Sequence, residues 1–384
     1  MSKPLSDRPH ATPASDRSPL QTGLSYGVLA LVSFIIVAFS ISSAYRMKEG
    51  APHMAVLSEK MDDYLLHRDE IDMVFLGSSQ TFRHIDAPRI NRLLDEAGID
   101  LTVYNFGVPA LTEPEMRYIA DFIIENKSPR LKYVVLQNPL RAEGEFSNMM
   151  SQRGRFFRAP ARAAETWTDV NCYTGTLMGK IKRYRNNAQA MTAEALGLGR
   201  LAQLAFPSDD ESALKYASGY RDNDGFWPVD EDSNGHVVMR GKNTPMTRKS
   251  MDNFLAGKSD YIPDDKASTC RANELLETIG KIRKSGLKPL YFVSPSPKET
   301  GHDKAITEAI SRADPTLPIL DMSSPGRYPE LFQPSLWFDH SHMKGNGAKA
   351  LADLISPALI AHLQTSNIAD ARIANNDPVV PETP

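Results

Sequence analysis

Two short segments about 260 residues apart hold side chains that could do chemistry together. Gly77-Ser78-Ser79 closes an apolar run, and Asp339-His340-Ser341-His342 follows the aromatic pair Trp337-Phe338. They supply a hydroxyl nucleophile, an imidazole base and a carboxylate, the parts of an acyl-transfer machine with a covalent serine intermediate. A carboxylate three residues before His342 can accept from one ring nitrogen and leave the other to take the serine proton. His340 is the rival base, but Asp339 is its direct neighbour and poorly placed to orient it. Ser78 is the rival nucleophile. Each segment also has a plainer explanation. A serine after a strand often only caps the next helix, and a polar surface turn can hold an Asp and two incidental histidines.

The surrounding elements decide between these explanations. Asp72–Leu76 (DMVFL), Thr102–Phe106 (TVYNF), Tyr133–Gln137 (YVVLQ), Pro289–Val293 (PLYFV) and Ile319–Asp321 read as five buried strands. Between them, Asp86-Ala87-Pro88 opens a helix with an Asp cap and an early proline. Thr112-Glu113-Pro114-Glu115 is a capping box for a helix to about Asn126. Helices are also expected over Asn273–Lys284, around Lys304–Arg312 and over Gly345–Gln364. Strands alternating with helices predict a parallel, helix-covered sheet, whose ligands bind beyond the carboxyl ends of the strands. Ser79, the turn after Phe106, and Asn138 all fall at such ends. The helix that follows would place its N-terminal N–H groups near the Ser79 oxygen, where negative charge would develop.

The alternation breaks between about residues 141 and 269, which reads as a mostly helical insertion capping the site. It contains a basic run from Arg153 to Arg185 and a polar, turn-rich section, Tyr220–Asn243. The basic run could meet anionic lipid or glycan, although a solvated helix face is the commoner reason for such a pattern. Arg83 and His84 could bind an acidic substrate or serve the structure. Trp227 and Trp337 could stack on sugar rings or pack in the core.

Composition narrows the possibilities. The chain has 384 residues, 41% hydrophobic and 24% charged, so its body is globular. A net charge of −3 gives no reason to expect nucleic acid. There is no Gly-rich phosphate loop, and Cys172 and Cys270 lack metal-ligand spacing, so no cofactor or metal is expected. In an oxidising compartment the two cysteines could pair; the spacing leaves bonded and free states open. Leu24–Ala44 is uncharged over 21 residues, about 31 Å of helix and one bilayer core. An uncleaved anchor over residues 24–45 suits it better than a signal peptide, given the long polar lead. Residues 1–23 and 366–384 read as disordered tails, and 46–70 as a helical stalk.

With these motifs in place, the chain resembles the SGNH (GDSL-type) hydrolases. Ser79 matches the nucleophile, third in the family's Gly-Asp-Ser-like motif, with Ser78 replacing the middle Asp. Asp339 and His342 match the late Asp-x-x-His motif. Asn105-Phe106-Gly107 matches the second block, whose glycine N–H joins the Ser79 N–H in the oxyanion hole. Asn138 stands at the strand end where the third block carries its Asn, whose side chain completes the oxyanion hole, but without the flanking Gly and Asp. The resemblance covers most of residues 70–140 and 275–365. It implies a three-layer, flavodoxin-like sandwich and a serine esterase or O-acyltransferase. The Gly-Ser-Ser form and the anchor are more similar to envelope members linked to polysaccharide O-acetylation or teichoic-acid D-alanylation. That likeness implies an acylated polysaccharide as substrate and a membrane-bound O-acyltransferase as partner. It also implies a single-pass location in the bacterial inner membrane, with the domain outside the cytoplasm. The alternative is a non-catalytic accessory that binds glycan or scaffolds such an acyltransferase.

Overall fold

A computed structural model describes residues 19–49, 54–138, 151–172, 175–197, 219–230, 246–257, 265–297 and 301–374. The chain divides into two compact units, one of residues 1–51 with 192–207, the other of residues 52–191 with 208–384.

The first unit is built on α1, Pro19–Glu49. Its segment Gly23–Ala44 has 22 residues of mean hydropathy 2.4 and is long and apolar enough to cross a membrane. Its leucines, valines and phenylalanines face outward, as lipid-facing side chains would. Within this unit the Ser42 hydroxyl donates to the Glu194 carbonyl at 3.3 Å. Helix begins at Pro19, so the last residues of the expected disordered lead are already helical.

The second unit alternates strands and helices. In chain order it runs α2 (Ala55–His67), β1 (Met73–Gly77), α3 (Ser79–His84), α4 (Ala87–Glu96), β2 (Val103–Gly107), α5 (Glu113–Asn126) and β3 (Tyr133–Gln137). Short helices α6 (Gln152–Phe156) and α7 (Ala163–Asn171) follow, then α8 (Leu177–Ala195), whose residues from 192 on belong to the first unit, α9 (Arg248–Gly257) and α10 (Asp265–Lys284). The chain closes with β4 (Lys288–Val293), α11 (Gly301–Ala313), β5 (Ile319–Asp321) and α12 (Gly345–Ala374). The five strands form one sheet in the order β2-β1-β3-β4-β5, and every pairing is parallel. The sheet grows outward from β1 in one direction and from β3 in the other. The crevice at that reversal, beyond the strands' carboxyl ends, is where such sheets bind ligands.

Strand alternation builds two cores. Val74, Leu76, Tyr104, Phe106 and Leu136 face a layer containing α2, α5, α10 and α11. Met73, Phe75, Val103, Val135 and Phe292 face α4 and α12. Both faces are thus covered, which is why β1 and β3 read as unbroken apolar runs. The outer edge of β2 is closed by three groups. Asn91 imitates a strand partner, accepting from Val103 N–H and donating to Val103 O. The Asp224 carbonyl accepts from Asn105 N–H at 2.8 Å, and the buried Lys60 ammonium donates to Asn105 O. An edge satisfied in this way offers no template for another chain.

Three expected boundaries change. The stalk is not free: α2 buries Leu57 and Tyr64 completely, and Tyr64 meets the rings of Tyr104, Phe106 and Phe122. Each such burial contributes roughly 1.5–3 kcal/mol, enough to make α2 part of the domain. Helix α12 continues past Ser366 to Ala374, through a stretch rich in Ala and Ile with no Gly or Pro. Helix α10 starts at Asp265, inside the expected insertion. Where it is described, the insertion is helical in α6–α9, with α6 and α7 beside α5 and residues 224–230 along β2 and α3. Most of the polar section Tyr220–Asn243, and so any cap it forms, lies outside the described residues.

Cys172, after α7, is bonded to Cys270 on α10, at a sequence separation of 98 and with 5.5 Å between their Cα atoms. Closing so long a loop removes much freedom from the unfolded chain. Reduction, or the Cys172→Ser Cys270→Ser pair, is expected to lower unfolding free energy by about 2–5 kcal/mol, measured by denaturant titration with and without reductant.

Candidate active site

Ser79 opens α3 directly after β1, with Ser78 in extended backbone at the cap position. Both neighbours of β1 hold this turn. From β3, the Gln137 Oε1 atom accepts from Ser78 N–H (3.1 Å), Thr81 N–H (3.1 Å) and Thr81 Oγ1 (2.6 Å), with the Ser78 hydroxyl at 3.4 Å. From β2, the Asn105 amide donates to the carbonyls of Thr81 and Ile85, each at 2.8 Å. The approach is close enough to demand glycine. A methyl at Gly77 would overlap Thr81 and Gln137, and one at Gly107 would overlap the Phe82 backbone. Ser78 is buried and turned toward Gln137, while Ser79 is partly open to solvent. The geometry therefore selects Ser79 over Ser78.

The histidine loop is a tight turn. Trp337 and Met343 pair across it, and Phe338 N–H donates to His342 O at 2.9 Å. Trp337 is buried against Phe332 and His84, with its indole N–H on Leu331 O, so it packs the core and offers no sugar platform. Asp339 is also buried, and its Oδ1 accepts from Ser341 N–H (2.6 Å) and His342 N–H (2.9 Å). His342 Nδ1 lies 3.0 Å from Asp339 Oδ2, and His342 Nε2 lies 3.0 Å from Ser79 Oγ. The partners assign the tautomer. Nδ1 carries the proton and donates to the carboxylate, and Nε2 accepts from the serine hydroxyl. Burial pushes the Asp339 carboxyl up, but the donors from His342 and the Ser341 and His342 backbone outweigh it and hold it below the usual range. His340 instead lies beside the Phe254 ring.

The other expected donors have partners within the fold. The Gly107 N–H donates to Asn105 Oδ1 at 2.8 Å, and the Asn138 amide donates to Asp303 on α11 at 2.8 Å. At the first turn of α3, Gln137 takes the N–H groups of Ser78 and Thr81. Those of Ser79 and Gln80 have no acceptor within the helix, and they are the donors nearest the nucleophile. Among the described residues no His, Cys, Asp and Glu cluster could hold a metal ion.

Arg83 and His84 are structural. The Arg83 guanidinium donates to the carbonyls of Trp227 (3.2 Å) and Pro228 (3.4 Å). His84 Nε2 accepts from Met343 N–H at 3.0 Å, so Nδ1 carries the proton and donates to Ser294 Oγ at 2.9 Å. The first part of the basic run is structural too. Arg153 pairs bidentately with Glu115 at 2.8 Å, and Arg158 donates to Asn187. Sequence reasoning missed Gln137, Asn105 and Lys60 as supports. Two of them were visible as polar residues inside apolar strands.

The class defined by this fold and site is a doubly wound parallel α/β protein with a Ser-His-Asp constellation at its switch point. No family model and no curated protein matches the chain.

Complete burial, aided by nearby His342, drives His84 down to about 3, against the opposing influence of Asp339 and the Ser341 backbone. The unfolded chain binds this proton below about pH 6.5, while the folded chain refuses it until about pH 3. Stability from this residue is therefore complete above pH 6.5 and falls as pH drops, by up to about 1.4 kcal/mol per unit. Urea titrations from pH 7 to pH 4 are expected to show this slope, and His84→Gln, which keeps an acceptor for Met343 N–H, to flatten it.

Proposed function

We propose that the chain is a membrane-anchored, extracytoplasmic member of the SGNH (GDSL-type) hydrolases, a serine esterase or O-acyltransferase. The observation that carries this reading is the unbroken chain Ser79–His342–Asp339, with 3.0 Å at each step. The 2-1-3-4-5 strand order supports it, being that of flavodoxin-like sheets, as does the placement of Ser79 at the switch point.

Ser79 Oγ attacks the acyl carbonyl carbon while its proton passes to His342 Nε2. Asp339 holds the ring and balances the imidazolium charge. The Ser79 and Gln80 N–H groups stabilise the oxyanion, aided by the positive end of α3. As the tetrahedral species collapses, the C–O bond to the leaving alcohol breaks and His342 returns the proton to it. The acyl group then rests on Ser79. Water regenerates the serine in an esterase, and a sugar hydroxyl does so in a transferase. The resemblance to envelope O-acetylation proteins points to acetyl esters of an exported polysaccharide and to a membrane-bound O-acyltransferase as partner. The Cys172–Cys270 bond supports an oxidising compartment, and the apolar α1 supports a single-pass anchor.

A second reading has its own observation. The Gly107 N–H is engaged by Asn105 Oδ1 and one Asn138 N–H by Asp303, so weaker oxyanion stabilisation by these two residues would suit a non-catalytic glycan-binding or scaffolding accessory. Removing one such donor costs about 3 kcal/mol in an active enzyme.

The full chain in detergent, treated with a fluorophosphonate probe or p-nitrophenyl acetate, separates the two. Labelling and turnover are expected in the wild type and absent in Ser79→Ala, with Asp339→Asn reducing kcat by about 10⁴. If wild type and Ser79→Ala are equally inert, the accessory reading replaces the enzymatic one. Gln137→Ala strips the turn of its acceptor, and a misplacement of about 1 Å costs on the order of 100-fold in kcat, with a smaller change in KM.

A further inference from the structure

We propose that the first half of α8 is a docking surface for an anionic lipid bilayer. Thr176 precedes the helix, and its hydroxyl accepts from Gly179 N–H at 3.1 Å. Its outward side is unusual. Leu177 is 73% exposed, Met178 72% and Ile181 50%, the largest apolar exposures among the described residues of the second unit apart from Leu66. At about 100° per residue these three share one face, and the buried residues Asn186, Asn187, Ala190 and Ala193 occupy the opposite one. The usual pattern is inverted: large apolar side chains face outward, and amides and small residues face inward.

The charges around this face identify what it meets. Lys180 flanks it on one side and Lys182 on the other, and Arg185 stands on the face itself, one turn beyond Ile181. No acidic residue follows in the helix until Glu194. Long cationic side chains can extend past buried apolar neighbours to reach phosphates, while the apolar tips enter the acyl boundary. An anionic glycan would pair with the cations but leave Leu177, Met178 and Ile181 in water. A bilayer surface satisfies both kinds of group. The same chain carries a helix fit to cross a membrane, so a weak surface contact would be made at high local concentration. The docking segment, residues 177–185, lies wholly within the larger unit. This inference does not depend on the reaction proposed for Ser79.

The test uses the full chain in nanodiscs, with an environment-sensitive fluorophore on Met178→Cys and the native disulfide left intact. Discs of phosphatidylcholine are compared with discs that also contain phosphatidylglycerol. With the anionic lipid, blue-shifted emission and quenching by nitroxide-bearing lipids are expected, several-fold weaker in phosphatidylcholine alone or in high salt. Lys180→Glu with Lys182→Glu should abolish the difference. Emission of a water-exposed probe in both lipid mixtures would overturn the proposal. So would a shielded probe that lipid nitroxides do not quench, which would mean a protein covers the face.

Discussion

The site depends on the placement of one short helix. Six residues cannot hold a helix by themselves, because nucleation costs more than so few hydrogen bonds return. Helix α3 exists because the strands on either side of β1 each contribute an amide side chain to it. Gln137 receives the donors of its first turn, and Asn105 donates to the carbonyls of its last. Gly77 and Gly107 let the backbone come close enough for both amides to reach. A buried donor left unmatched at either end would cost about 1–3 kcal/mol, so the arrangement resists small shifts.

The histidine loop takes its position from the same helix. Ser79 at one end of α3 meets His342, and His84 at the other end accepts from the adjacent Met343 N–H. Two contacts on consecutive loop residues, made from opposite ends of one helix, fix both the distance and the angle of the imidazole. The loop is held from behind by buried Trp337 and by the Asp339 turn. In the proposed reaction the base and the nucleophile would thus share a single rigid support, which is what a proton transfer between them requires.

Beneath this helix lies an unusual concentration of buried charge. The Lys60 ammonium is fully buried, bonded to the carbonyls of Asn105 and Gly225 and ringed by Phe82, Tyr104 and Tyr220. Burial drives its pKa well down, Asp63 opposes that shift, and Arg83 adds to it. Arg83 is itself buried against residues 227–228. Gly225 has a positive φ of 83°, and any side chain there would strike Asn105 O. Such groups are expensive to bury and repay the cost mainly by permitting one arrangement, here the seating of residues 224–228 on β2 and α3.

Much of the architecture was legible in the chain itself. All five strands lie within one or two residues of where apolar runs placed them, and the Asp86 and Thr112–Glu115 caps start the expected helices. The choice of Asp339 and His342 followed from their spacing, because a three-residue turn is a local geometry. Periodicity, caps and short turns are set by neighbours in sequence, so sequence suffices to read them. Which donors face Ser79 was not of this kind. Gly107 and Asn138 stand at the expected strand ends, where Asn105 Oδ1 engages the Gly107 N–H and Asp303 one N–H of Asn138. The stalk became a core helix because β2 and α5 supply the aromatic rings that bury Tyr64. Side-chain partners drawn from elements tens to hundreds of residues away compete for each donor. Only the tertiary structure, which brings all the competitors together, decides that competition.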